Sequence, residues 1–148
     1  FLNWHPEVTE LLAATESCFL WALYDRPPLQ QWVDNKVALL GDACHPMLPF
    51  LAQGAAMAIE DSFALAHYLA KENNTQLALQ SYQNRRLERT REIQLGARHN
   101  APLYHMSSTI DRAKLRVLSG LANIGLNNRL AATQLDSIYG YNIVNQLS

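Results

Sequence analysis

The stretch Val37-Ala38-Leu39-Leu40-Gly41-Asp42-Ala43-Cys44-His45-Pro46-Met47-Leu48-Pro49, followed by Gln53-Gly54-Ala55-Ala56, decides how this chain of 148 residues is read. Four consecutive apolar residues closed by a glycine are too short for a helix. With the turn signal Asp34-Asn35 before them, they predict a strand buried on both faces, as in a parallel sheet. Gly41 lets the backbone turn sharply where that strand ends. Asp42 then falls at the strand's carboxyl end, the edge at which open α/β sheets bind ligands. Pro46 and Pro49 stiffen the following loop and remove two backbone donors. From Gly54 onward, Ala55, Ala58, Ile59, Ser62, Leu65, Ala66 and Leu69 recur at three- and four-residue steps, which predicts a closely packing helix.

This arrangement offers specific chemistry. An ionised aspartate only accepts hydrogen bonds, so Asp42 suits a polyhydroxyl partner such as a ribose or ribityl chain. The first N–H groups of a helix opening at Gly54 are free, and its dipole favours negative charge. A glycine there lets a flat ligand come close to the backbone. One acidic acceptor and one positive helix end, joined by a stiff loop, fit a nucleotide-like or flavin-like ligand.

Outward from this centre the chain reads as mostly helical with one or two strands. Pro6 suits the first turn of a helix bearing Val8, Leu11 and Leu12. Cys18–Tyr24, rich in aromatic and aliphatic residues and ended by Asp25-Arg26-Pro27-Pro28, predicts a strand. Asn73-Asn74-Thr75 interrupts the central helix, with Thr75 placed to cap the next one. That helix carries Leu77, Tyr82, Ile93 and Leu95 and is expected to end near Ala101-Pro102. A shorter helix is expected over Asp111–Leu121. The Arg-rich stretch from Arg85 to Arg98, with Glu88 and Glu92, reads as a solvated helix face laced with salt bridges rather than a phosphate site.

Composition bounds the class. Hydrophobic residues make up 49% and charged residues 17%, a globular balance. Twelve Lys and Arg against thirteen Asp and Glu leave a net charge of −1, which gives no electrostatic case for nucleic acid or an anionic membrane. The longest apolar run, Cys18 to Tyr24, is too short to span a bilayer, and no signal peptide opens the sequence. Two cysteines, Cys18 and Cys44, make no disulfide framework and read as reduced thiols of a cytoplasmic protein. A first residue of Phe is expected of a cut piece or a processed product.

The Gly41–Pro49 stretch, with Gln53-Gly54-Ala55 and Glu60-Asp61, closely resembles the second FAD-binding motif of class A flavoprotein aromatic hydroxylases, and the salicylate hydroxylase-like branch in particular. Trp4-His5-Pro6 and Asp25-Arg26-Pro27-Pro28-Leu29 resemble the approach to that motif, and Tyr139-Gly140-Tyr141-Asn142 the usual carboxyl end. The resemblance implies an α/β parent fold, a Rossmann-like FAD-binding domain with a substrate sheet, of which this chain is a C-terminal part. It divides the chain into 1–32, the end of the substrate region and crossover; 33–72, the C-terminal part of the FAD-binding domain; and 73–148, a helical region. It also implies roles at the cofactor: Asp42 at the ribityl chain with Gly41 before it in the cofactor-binding motif, Pro49 beside the flavin ring and substrate, and the N–H groups of Gly54, Ala55 and Ala56 at the flavin N1 and O2 edge. The activity implied is reduction of FAD by NADH or NADPH, reaction with O2 to a flavin hydroperoxide, and hydroxylation of a small, usually phenolic, aromatic substrate.

The sequence also departs from the family pattern. None of the six glycines stand two apart, so the Gly-x-Gly-x-x-Gly fingerprint for the ADP half of FAD is absent, as are the middle Asp-Gly motif and most of the substrate sheet. The chain alone is therefore expected to bind FAD weakly and not to turn over. Association with the N-terminal part of such an enzyme, or with a second copy, is the expected partnership. The alternative is a noncatalytic helical interaction module that keeps the motif as scaffold.

Other polar residues have plainer readings. Asp42, Cys44 and His45 lie close in sequence, but no second Cys/His cluster has matching spacing, so no metal is expected. Glu60 and Asp61 are helix neighbours that point apart and are expected to make ordinary contacts. His67, His99 and His105 lack partners at ligand spacing. Trp4, Trp21 and Trp32 are expected in the core or at an interface, and Cys18 is expected to be inert.

Overall fold

The computed structural model describes residues 4–104, 110–111, 113, 116–117 and 135–147. Helix α1 (Pro6–Ala13) starts at its proline as expected, and none of its residues is buried. A two-stranded antiparallel sheet follows, β1 (Val33–Asp34) and β2 (Val37–Ala38), with Val33 opposite Ala38 and Asp34 opposite Val37. Its turn uses Asn35 in the left-handed region at φ 53°, a conformation asparagine tolerates better than most residues. A short 3₁₀ turn (Gly41–Ala43), a second one (Pro49–Leu51), α2 (Gly54–Lys71), α3 (Thr75–Tyr104), a helical stretch over residues 135–139 and α4 (Ile143–Leu147) complete the order.

The mostly helical architecture with a small sheet agrees with the expected fold class. Two sequence expectations about strands do not hold. The Val37–Leu40 run contributes one arm of a tight hairpin, not a doubly buried parallel strand, and Val37 is exposed. A run of four apolar residues has too little periodicity to distinguish these outcomes. Cys18–Tyr24 forms no strand: Phe19, Leu20, Trp21, Leu23 and Tyr24 are all exposed, and no described segment pairs with their backbone.

The core is the seam between α2 and α3, closed at one end by the hairpin and at the other by the second 3₁₀ turn. One cluster joins Trp32, Cys44, Ala64, Tyr82 and Ile143; the other joins Leu51, Met57, Ile93 and Ala97. On α2 the buried face is Met57, Asp61 and Ala64, not the small-residue stripe expected to pack, and Ile59 is 70% exposed. A carboxylate in the core stripe conceals that face from a reading based on apolar periodicity. The buried face of α3 is likewise mixed: Tyr82, Arg86, Arg89, Thr90, Ile93, Gln94 and Ala97. Leu77 and Leu95 lie on its outer side.

Helix α3 holds the hairpin through polar contacts. The Gln83 side-chain carbonyl accepts from the N–H groups of Trp32 (2.6 Å) and Val33 (3.0 Å), and the Tyr82 hydroxyl donates to the Leu39 carbonyl at 3.0 Å. Asn74, not Thr75, caps α3: its Oδ1 accepts from the N–H of Gln76 at 2.9 Å and of Leu77 at 3.3 Å. The helix also runs past Ala101-Pro102 to Tyr104. Of the tryptophans, Trp32 is in the core, while Trp4 and Trp21 are exposed. Cys18 is an exposed free thiol. His99 is exposed, His67 half-buried in an edge contact with Tyr68, and His105 lies outside the described residues. The helix expected over Asp111–Leu121 also lies largely outside them; 110–111, 113 and 116–117 are helical.

Candidate functional site

The site is built where the Gly41 turn, the Pro49 turn and the start of α2 meet. An open pocket of about 640 Å³ is lined there by Gly41, Asp42, Met47, Pro49, Gly54 and Ala55, with Ala58 behind. Gly41 is required twice over. Its φ is +61°, which suits residues without a Cβ, and a Cβ there would meet the Ala58 Cβ at 3.3 Å. Asp42, next in the chain, is exposed and has no hydrogen-bond partner among the described residues. At Gly54 a Cβ would stand 4.0 Å from the Asp42 Oδ1 and 3.9 Å from the Met47 Cγ, so the missing side chain keeps the helix end open beside the carboxylate.

Helix α2 begins without a side-chain cap. The first N–H bonded back is that of Met57, to the Gln53 carbonyl at 2.9 Å, so the N–H groups of Gly54, Ala55 and Ala56 are the unsatisfied donors of the first turn. Ala56 turns its side chain toward the Leu51–Met57–Ile93 cluster and does not line the pocket, so only its backbone is available to a ligand. Ala52, at the end of the second 3₁₀ turn, takes the left-handed conformation at φ 51° and faces the same pocket. Five of the six residues singled out in the sequence thus share one pocket.

Behind this wall lies a network that the sequence reading missed. The Asp61 side chain is wholly buried and its carboxylate accepts three hydrogen bonds: from the Gly41 N–H at 3.1 Å, from the His45 Nε2 at 2.5 Å and from the Arg86 Nε at 2.7 Å. A carboxylate only accepts, so the His45 Nε2 is the donor. The Arg86 Nη1 also lies 2.7 Å from the Glu60 Oε2, as an ion pair without hydrogen-bond alignment. Burial pushes the Asp61 carboxyl up, but the hydrogen bonds and charges of His45 and Arg86 outweigh it and hold it below the ordinary aspartate value.

Glu60 and Asp61 therefore make more than ordinary helix or loop contacts, since both converge on Arg86. Nor is the arginine stretch simply a solvated face. Arg86 is fully buried, and Arg89 donates to the carbonyls of Ser137 and Ile138, both at 2.7 Å, with its guanidinium 4.4 Å from the Tyr141 ring centroid. Only its outer members behave as expected: Arg91 pairs with Glu88 and Arg98 with Asp25. A carboxylate at the i+4 position between Met57 and Ala64, on a helix otherwise apolar on that side, was the available signal that a buried cation lay opposite.

Cys44, His45 and Asp61 place one donor atom each within 4.8 Å of one another. Burial, then the Asp61 charge, pushes the Cys44 thiol up to about 12. The protonated sulfur donates to the Gly41 carbonyl at 3.2 Å. With the thiol and both Asp61 oxygens engaged, these residues serve the turn.

A carboxylate exposed and without a partner among the described residues, a helix end with free donors and a backbone bared by two glycines suit a ligand with hydroxyls on one side and an electron-rich edge on the other. The chain belongs to the FAD binding domain family, whose pattern matches residues 20–95, just over half of the sequence. It is 47% identical over 96 residues to a 6-hydroxynicotinate 3-monooxygenase of Pseudomonas fluorescens, covering 64% of this chain and 25% of that protein. It is 34% identical over 144 residues to 3-hydroxybenzoate 6-hydroxylase 2 of Aquipseudomonas alcaligenes, covering 97% of this chain and 43% of that protein. Among solved structures it is similar to Klebsiella pneumoniae HpxO complexed with FAD and uric acid, with a TM-score of 0.73 and 28% identity over 91% of this chain and 34% of that one. The chain thus spans from a quarter to under half of the relatives it matches. Among the described residues, no helix is long and apolar enough to cross a membrane.

Proposed function

We propose that the protein carrying this chain is an FAD-dependent monooxygenase that hydroxylates a small phenolic or salicylate-like aromatic substrate, and that this chain supplies one wall of its flavin site. The observation that carries the reading is the Asp42 carboxylate, without a partner among the described residues, beside the open N-terminus of α2, with Gly54 bare between them. FAD, reduced by NADH or NADPH and supplied with O2, provides the oxygen-transfer chemistry when bound. Asp42 would accept hydrogen bonds from the ribityl hydroxyls. The N–H groups of Gly54, Ala55 and Ala56 would face the flavin N1 and O2 edge, where the helix dipole favours negative charge. Gly41 shapes the turn, and Pro49 would lie beside the ring on the substrate side.

In this reading residues 1–32 are the end of the substrate region and the crossover, 33–72 the C-terminal part of the FAD-binding domain and 73–148 the C-terminal helical region. The protein works in the cytoplasm. The exposed Phe19, Leu20 and Trp21 fit association with the remainder of the enzyme or with a second copy. The chain alone, with no Gly-x-Gly-x-x-Gly segment, would bind FAD weakly and not turn over.

The test is to purify the intact protein, read its bound flavin by absorbance, and follow NADH and NADPH oxidation with a panel of hydroxylated aromatic acids. Flavin content lost in Asp42→Ala and substrate-stimulated oxidation in the parent support the reading. A protein that ignores FAD and forms a stable oligomer supports the noncatalytic module instead.

A further inference from the structure

The Asp42 side chain makes no bond to any described residue, so its aim toward the pocket is set by what anchors the backbone on either side. Those anchors converge on one side chain. On one side, the Gly41 N–H is held at 3.1 Å by the Asp61 Oδ2. On the other, His45 reaches the same oxygen through its Nε2 at 2.5 Å. The turn is also pressed against α2, since a Cβ on Gly41 would stand only 3.3 Å from that of Ala58. The Asp61 carboxylate is itself fixed from behind by the Arg86 Nε at 2.7 Å. Asp61 belongs to α2, the helix whose first turn offers the free N–H groups. The acceptor at Asp42 and the donors at Gly54–Ala56 are therefore tied to one rigid element.

We propose that Asp61 and His45 are positioning residues for the cofactor, holding the Gly41–His45 turn on α2 so that Asp42 and the helix N-terminus keep a fixed separation. This rests on the flavin reading above. Neither side chain lines the pocket, so both act through Asp42 and not by touching the ligand. Preorganisation of this kind appears in affinity, because a wall that must find its geometry on binding loses part of the interaction to ordering.

The test uses the intact protein, stripped of flavin and titrated with FAD by fluorescence quenching, with the melting temperature of each apoprotein measured in parallel. Asp42→Ala, His45→Ala and His45→Gln are compared, the last returning an N–H donor near the position of Nε2. The proposal expects His45→Ala to weaken FAD binding on the order of tenfold, as displacement of a positioning group does, and His45→Gln to recover most of the loss. It is overturned if His45→Ala lowers the melting temperature yet binds FAD like the parent, which is what a merely structural role gives. Where His45→Ala does not fold, His45→Asn, whose donor is too short to reach Asp61, carries the same comparison. An unchanged affinity in Asp42→Ala would overturn the flavin reading itself, and is separable from a loss of effect at His45 alone.

Discussion

The Asp61 carboxylate accepts a hydrogen bond from the Gly41 backbone N–H across twenty positions of sequence, and both groups are buried. This bond joins the turn that carries the motif to the helix that follows it. Removing the charge leaves Arg86 buried with Glu60 as its remaining anion. Asp61→Asn in the intact protein is expected to cost about 3 kcal/mol, the low end for breaking a buried pair from one side. Urea unfolding of the apoprotein checks it, and a cost near zero would mean that the network contributes little to the fold.

The same carboxylate sets an acid limit. Its folded pKa is held below the ordinary value of 3.8 by His45 and Arg86, against burial. A depressed folded pKa means that the unfolded chain takes up the proton more readily. The Asp61 contribution is therefore fully present above about pH 5, as the unfolded pKa near 3.9 dictates. It is lost as the pH falls below about 4 toward the folded value. Melting temperatures measured from neutral to acid pH should bend downward in that window, and Asp61→Asn should flatten the bend.

The two cysteines should separate in reactivity. Cys18 is an exposed thiol, whereas Cys44 is buried, donates to the Gly41 carbonyl and is pushed up to about 12. The thiolate is the reactive form, so iodoacetamide at pH 8 is expected to label Cys18 and spare Cys44 in the native chain, with both labelled in denaturant. Mass spectrometry of the peptides reads the outcome. Native labelling of Cys44 would mean that the turn opens.

What the sequence could reveal follows the physics of each element. The Gly41–Pro49 turn and the start of α2 were legible because glycine and proline specify backbone directly, and five of the six residues named there line one pocket. The seam between α2 and α3 was not. Its buried stripes contain Asp61, Arg86, Arg89 and Gln94, which an apolar-periodicity reading assigns to solvent. Gln94, for example, donates to the carbonyls of Arg26 (3.0 Å) and Pro46 (2.8 Å), contacts across 68 and 48 positions that local pattern does not encode. The hairpin was missed for another reason: Val37–Leu40 is short enough to fit either a buried or an exposed strand.

The cap of α3 distinguishes two neighbours. Asn74 Oδ1 accepts from the N–H groups of Gln76 and Leu77, while Thr75 is the helix's first residue. Asn74→Ala is expected to cost about 1 kcal/mol and Thr75→Ala clearly less. Thermal unfolding of the two variants side by side decides it, and equal losses would place the cap on Thr75 as well.

The two glycines of the motif should fail in opposite ways. At Gly41 the left-handed φ of +61° and the 3.3 Å approach to Ala58 penalise any Cβ within the fold. Gly41→Ala is expected to lose about 2 kcal/mol of stability, most of it the cost of a left-handed non-glycine residue. At Gly54 a Cβ meets Met47 and the Asp42 Oδ1 at 3.9 and 4.0 Å, ordinary contact distances, so Gly54→Ala should fold within about 1 kcal/mol of the parent. That methyl would nonetheless occupy the space between the Asp42 carboxylate and the helix end. FAD titration of the apoproteins should therefore find Gly54→Ala weakened on the order of tenfold while its melting temperature barely moves. A Gly54→Ala protein that binds FAD like the parent would mean that no ligand approaches the backbone at that point.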